Sequence, residues 1–380
     1  MNAKSSLLQA LCAGFLIRGS HNRKTTSSRG DFMVFFLAAL LVLCLVGIKF
    51  SGKNGFEDYM SPSKTGAIKG IFVIIVLFSH VRQYITLTAE WYDKPFTSFM
   101  LFLGQLMVVM FLFCSGYGVT LGLAKKDGYV KSLISKRALK VLLHYDIAVL
   151  IFYLLGLALG KNYTVEKLLR SFIGLDAVGN SVWFIFVILI LYIVTWISFR
   201  FVGKRAILGT AITTVISVAA MILLIYTKGK EYWWYDTLLC YPLGMWYAIA
   251  KPHIDKSLIP SFGKWFACTG ITLAAFITLN HFLLLNGKSR VIFVPMALVF
   301  ALLITFASMR ISINNGVLRW FGKRVFGIYI LQRIPMIILQ HFGMNDSPLL
   351  FAAVSFAVTI ILAEIFERCM DKLDTALKLR

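Results

Sequence analysis

Residues 66–88 read GAIKGIFVIIVLFSHVRQYITLT. The stretch is apolar enough to cross a bilayer, which takes about 20 such residues. Yet it carries Lys69 at its start and His80 near its middle. His80 follows Lys69 by eleven residues, about three helical turns, so both fall on one helix face roughly 16 Å apart along the axis. Ionisable groups inside an apolar span usually face a protein interior or a polar path rather than lipid.

Similar apolar runs recur on both sides of this stretch. Of the 380 residues, 59% are hydrophobic and 15% charged, against about 25% charged in soluble domains. Mean hydropathy is +0.79. The runs are too long and continuous for β-barrel strands, which alternate over about 10 residues. The predicted fold class is all-α, a polytopic transmembrane helical bundle of about 11 spans. One is an extra N-terminal span at 32–50. A ten-helix core follows near 67–88, 97–123, 138–160, 181–199, 206–227, 233–250, 265–285, 291–309, 325–341 and 348–367. The expected division is a basic N-terminal segment (1–31), the extra span and its linker (32–65), a membrane domain (66–370) and a cytoplasmic tail (371–380).

The net charge is +22. On a soluble chain that would suggest nucleic acid. Here the basic residues sit in short loops between spans, and no soluble domain is seen to carry such binding, so no nucleic-acid partner is expected. If residue 66 starts in the cytoplasm, the loops on that side, among them 125–140, 200–205, 251–264 and 310–324, hold about twice as many Lys and Arg as the loops opposite. The six cysteines are scattered, with no CxxC or Cys/His cluster, so neither a disulfide framework nor a metal site is expected.

Each polar group in a span has two readings. His80 is either a general base, since neutral imidazole takes a proton near pH 7, or a structural histidine bonded to a neighbouring helix. Lys69 is a candidate partner, or a basic residue snorkelling at a span end. In MVVMFLFCSGYGVTLG (107–122), Ser115 with its flanking glycines reads as a helix-packing seam or as a nucleophile near a base. In SKRALKVLLHYD (135–146), Arg137 and Lys140 share a helix side, as positive-inside charge or as a phosphate clamp. Trp183 opens a span where an aromatic belt is expected. Pro242 and Gly244 are expected to bend theirs. In FGKRVFGIYILQRIPMIIL (321–339), Gln332 and Arg333 inside a span point to a helix lining a polar cavity. Glu364 and Glu367 are expected to snorkel or to pair with nearby basic groups.

With these pieces in order, residues 60–370 resemble the acyltransferase 3 family of integral membrane acyltransferases. Lys69-GIFVIIVLFS-His80 resembles the family's Arg, ten residues, His pattern, with Lys in place of Arg. MFLFCSGYGV (110–119) resembles its phenylalanine-rich run ending in Ser-Gly-Tyr. KRALKVL (136–142), VWFIFVILILY (182–192), YPLGMWYA (241–248) and FGKRVFGIYILQ (321–332) resemble further family segments. Many relatives have His where this chain has Gln332.

The resemblance implies transfer of an acyl group, acetyl above all, from cytoplasmic acyl-CoA to a carbohydrate hydroxyl. The acceptor would be a surface polysaccharide or its lipid-linked precursor, and the setting a bacterial plasma (inner) membrane. It implies His80 as catalytic base, with Lys69, Arg137 and Lys140 binding acyl-CoA. Ser115, Trp183, Gln332 and Arg333 are the expected substrate-binding residues. Of the alternatives, a transporter or flippase for a lipid-linked saccharide would also use intramembrane His and Arg, but no inverted repeat is evident. A polysaccharide polymerase would be expected to show a large basic outer loop, and none is seen.

Overall fold

The structure is a computed structural model and describes residues 33–87, 90–126, 128–228, 231–286 and 289–379. The expected basic segment at 1–31 lies outside the described residues. From Met33 onward the chain forms one compact helical unit, whose β structure among the described residues is a two-stranded ribbon.

Helix α1 (Val34–Leu45) leads into strand β1 (Ile48–Phe50). Helix α2 (Pro62–Val81) opens with Pro at its first position and Ser61 as N-cap, whose side chain accepts from Lys64 N. Then come α3 (Lys94–Leu103), a 3₁₀ segment (Gly104–Val108) and α4 (Val109–Lys125). Helix α5 (Tyr129–Leu133) runs through a π-helical turn (Ile134–Ala138) into α6 (Leu139–Ala158). The short α7 (Val165–Phe172) precedes α8 (Trp183–Val202) and α9 (Ala206–Lys228). Next are α10 (Cys240–Leu258), α11 (Phe262–Leu285) and α12 (Arg290–Ser308). Strand β2 (Ile311–Ile313), α13 (Gly316–Lys323), α14 (Val325–Leu331), α15 (Arg333–His341) and α16 (Pro348–Ala376) complete the chain.

Among the described residues, eight helical stretches are long and apolar enough to cross a bilayer. The expected span at 32–50 is the 12-residue α1 followed by β1, which pairs antiparallel with β2, Ile48 opposite Ile313. The span expected at 325–341 is two short helices meeting at Gln332. Pro335 explains the break: it has no N–H for the Leu331 carbonyl four residues back. The span expected at 233–250 begins later, at Cys240. Pro242 falls in its first turn, where it bends nothing, and the proline inside this helix is Pro252. Helix α2 stops at Val81 rather than near 88, so His80 occupies its last turn rather than its middle, and Lys69 lies about two turns in.

Two pairs of helices meet backbone to backbone. A Cβ on Gly70 would strike the Leu318 carbonyl, and one on Gly322 the Gly66 carbonyl, which seats α2 against α13. In the same way Gly116 meets the Tyr241 carbonyl and Gly244 the Phe113 carbonyl, which seats α4 against α10. The Ser-Gly-Tyr-Gly run therefore supplies a packing seam, as small residues do between membrane helices. Segment 371–380 continues α16 through Ala376, and Asp374 within it is buried.

Candidate active site

Three cavities lie in series through the bundle. The inner one, about 660 Å³, is edged by Lys126, Lys136, Arg137, Lys140 and Lys323, together with Glu367, Asp371 and Asp374. It shares Arg137, Tyr192, Lys323 and Phe326 with a middle cavity of about 550 Å³. The middle cavity is largely apolar. Its charged lining residues are Lys69, Arg137 and Lys323, with no carboxylate among its described lining. It shares Tyr329 with an outer cavity of about 540 Å³, lined by His80, Arg82, Trp183, Trp233 and Arg333 among others.

Irregular backbone borders this path. The π-helical turn carries Lys136 and Arg137, the 3₁₀ segment brings Gly104 and Gln105 to the outer cavity, and the break at Gln332 sets Arg333 there. Within a membrane, backbone departs from regular helix where protein or a cavity covers it, and π-turns recur at functional sites. Gly104 takes φ +45°, a left-handed conformation that suits glycine.

His80 is partly buried, and its Nδ1 lies 2.9 Å from the carbonyl oxygen of Val76. A carbonyl only accepts, so Nδ1 carries the proton, and Nε2 keeps its lone pair as an acceptor. The Tyr329 ring packs edge-on to the imidazole, with centroids 6.4 Å apart. Gln332 and Arg333 adjoin the same ring. Gln332 is fully buried and donates from Nε2 to the Tyr329 carbonyl at 2.9 Å, while its Oε1 has no hydrogen bond. Ser181 Oγ and the Tyr329 hydroxyl lie close together, yet neither makes a hydrogen bond of acceptable geometry. Buried polar atoms without partners are rare, because each costs about 1–3 kcal/mol. Ser181 and Tyr329 both line the outer cavity, where water or a ligand can reach them.

The expected residues divide among the cavities. Lys69, Ser115 and Arg137 line the middle one, and His80, Trp183 and Arg333 the outer one. Ser115 Oγ lies 3.0 Å from the Tyr192 hydroxyl, so its described partner is a phenol rather than an imidazole. Arg137 stands beside the hydroxyls of Tyr129 and Tyr192. Among the described residues Lys69 has no ion-pair partner. Lys140 lines the inner cavity but pairs with Asp374 at 2.5 Å, and His144, one turn on, reaches the same carboxylate at 2.8 Å. Glu364 pairs with Arg324 and Arg368, and Glu367 accepts from Gly327 N at 2.9 Å. The sequence reading missed Lys323, Tyr329 and Arg82. The first two sit inside the quoted stretch 321–339, and no pattern in the sequence sets them apart from its other basic and aromatic residues.

The acyltransferase domain of the acyltransferase 3 family matches residues 66–368. The chain belongs to that family. It is a multi-pass membrane acyltransferase, and its family domain begins inside α2 and ends inside α16. No curated protein and no solved structure matches the chain. Lys69, Arg137 and Lys323 set three cations along the middle of the three cavities.

Proposed function

We propose that this acyltransferase moves an acyl group, acetyl above all, from cytoplasmic acyl-CoA to a hydroxyl of a surface polysaccharide or its lipid-linked precursor, in a bacterial plasma membrane. The observation that carries the reading is the series of cavities running from a basic end to an imidazole whose Nδ1 is held by the Val76 carbonyl. Acyl-CoA enters from the basic end, which the positive-inside rule assigns to the cytoplasm. Its phosphates meet Lys323, Arg137 and Lys69, with Lys126 at the mouth, since ammonium and guanidinium groups bind phosphate well. Lys140 contributes field more than contact, because Asp374 holds it. The pantetheine arm follows the apolar lining of the middle cavity and brings the thioester to Tyr329.

The acceptor sugar sits in the outer cavity with Trp183 beside it. His80 Nε2 takes the proton of the attacking hydroxyl, whose oxygen bonds to the thioester carbonyl carbon. The Tyr329 hydroxyl donates to the oxyanion that develops there. The C–S bond then breaks, and the proton passes from His80 to the CoA sulfur. The products are the O-acyl sugar and free CoA, with the imidazole neutral again. The Val76 carbonyl holds the ring's orientation and tautomer throughout.

The test is transfer of label from radiolabelled acetyl-CoA to glycan in membranes holding the full chain or His80→Ala at matched levels. Label in the wild type and a loss of about 100-fold or more in the variant are expected. Transfer by His80→Ala at the wild-type rate would remove the assignment.

A further inference from the structure

The outer cavity carries more positive charge than general-base catalysis requires. Arg82 and Arg333 both line it beside His80, and no Asp or Glu is among its described lining residues. Arg333 also borders an adjoining cavity of about 270 Å³, where Lys161 and His341 are the other ionisable groups apart from Tyr84, again without a carboxylate. The partners of Arg333 are neutral: Nη2 donates to Gln83 Oε1 at 2.8 Å and Nη1 to the Tyr84 hydroxyl at 3.4 Å. Its Nε is buried without a hydrogen bond, and so is Nε of Arg82. Charged groups drawn into a protein interior are usually paired, because desolvating a lone charge is expensive. Here no described side chain supplies the counter-charge.

We infer that the acceptor taken by the outer cavity is an anionic saccharide, its carboxylate or phosphate held by Arg82 and Arg333. The inference rests on the outer cavity being the acceptor site, and adds the acceptor's charge. Guanidinium groups suit both anions, since each presents paired N–H donors to paired oxygens. A phospholipid headgroup would offer the same phosphate. The aromatic side chains of Trp183, Tyr232 and Trp233 in the same lining offer faces on which the apolar side of a sugar ring can stack.

The test is direct binding to the purified full chain in phosphatidylcholine nanodiscs, read by tryptophan fluorescence. The probes are trigalacturonate, a phosphorylated galactose trisaccharide and neutral galactotriose. At least one anionic probe is expected to bind about 10-fold or more tightly than the neutral one, the equivalent of one charge-assisted hydrogen bond. The two anionic arms separate carboxylate from phosphate. Arg333→Gln and Arg82→Gln are each expected to erase most of that advantage. Equal affinity for all three probes overturns the inference without recourse to any variant, as does absence of binding by both anionic ones. It is also overturned if phosphatidylglycerol nanodiscs abolish saccharide binding, because the arginines would then serve lipid headgroups. Acyl transfer is not read in this experiment. A chain that binds the anionic probe and transfers nothing would refute the proposed reaction and leave the charge preference standing.

Discussion

Nε2 of His144 lies 2.8 Å from Oδ1 of Asp374, 230 residues further along the chain. Lys140 reaches the other oxygen of the same carboxylate. Asp374 is fully buried and His144 nearly so, whereas the Lys140 side chain keeps 33% of its surface exposed. The carboxylate thus fastens the end of α16 to the start of α6. Replacing Asp374 with Ala strips both partners, and a loss of about 1.5–3 kcal/mol is expected. Thermal unfolding of the purified protein in detergent would show it as a lower Tm.

The same pairing separates two cations that look alike in sequence. Arg137→Ala should raise KM for acyl-CoA about 10-fold, with little change in Tm, because it removes the proposed phosphate contact. Lys140→Ala should do the reverse, lowering Tm and leaving KM within about 3-fold. Steady-state kinetics on matched preparations checks both. Equal KM effects from the two would mean that Asp374 does not withhold Lys140 from the donor.

Tyr329 is the lining residue common to the middle and outer cavities. Tyr329→Phe keeps the ring against His80 and deletes the hydroxyl. Removing one oxyanion donor costs about 100- to 1,000-fold in kcat where that donor dominates. A fall of that order with KM for acyl-CoA unchanged is the expected result, and unchanged kcat would exclude the hydroxyl from the reaction.

Gly116→Ala and Gly244→Ala each place a methyl group against a carbonyl of the facing helix. Backbone does not yield as a flexible side chain does, so each substitution should cost about 1–3 kcal/mol by overpacking. Neither rescues the other, because the two clashes lie on opposite helices. Folded yield and Tm of the single and double variants test this.

The helical class and most spans were legible because a bilayer demands long apolar runs, and those survive in any reading of the chain. Where helices are interrupted, the sequence signal was present but unweighted: Pro335 sits three residues after Gln332, and Gly104 opens the 3₁₀ segment. Lys69 and His80 were placed correctly on one helix. The cavities they face are set by α4, α8 and α14, whose approach no local pattern encodes. Asp374 was read within a tail because its partners lie far back in the chain. Arg82 was passed over because nothing local shows that its Nε is buried.

Strand β1 and helix α1 precede the region matched by the family, yet they are joined to it by many bonds. Besides the ribbon, Asn315 Nδ2 donates to the carbonyls of Leu43 and Val46, the Met33 amide donates to Asp93, and Phe36 packs on Phe78 at 4.5 Å. The border drawn by family likeness is therefore not the border of the folding unit. A chain shortened to begin at Met60 would keep every residue of the matched region and still leave the Ile311–Ile313 edge and Asn315 Nδ2 without the partners they have here. It would also bare the flank of α2 that carries Phe78, two residues from His80. Shortening the protein to its recognisable part would loosen the helix that bears its candidate base.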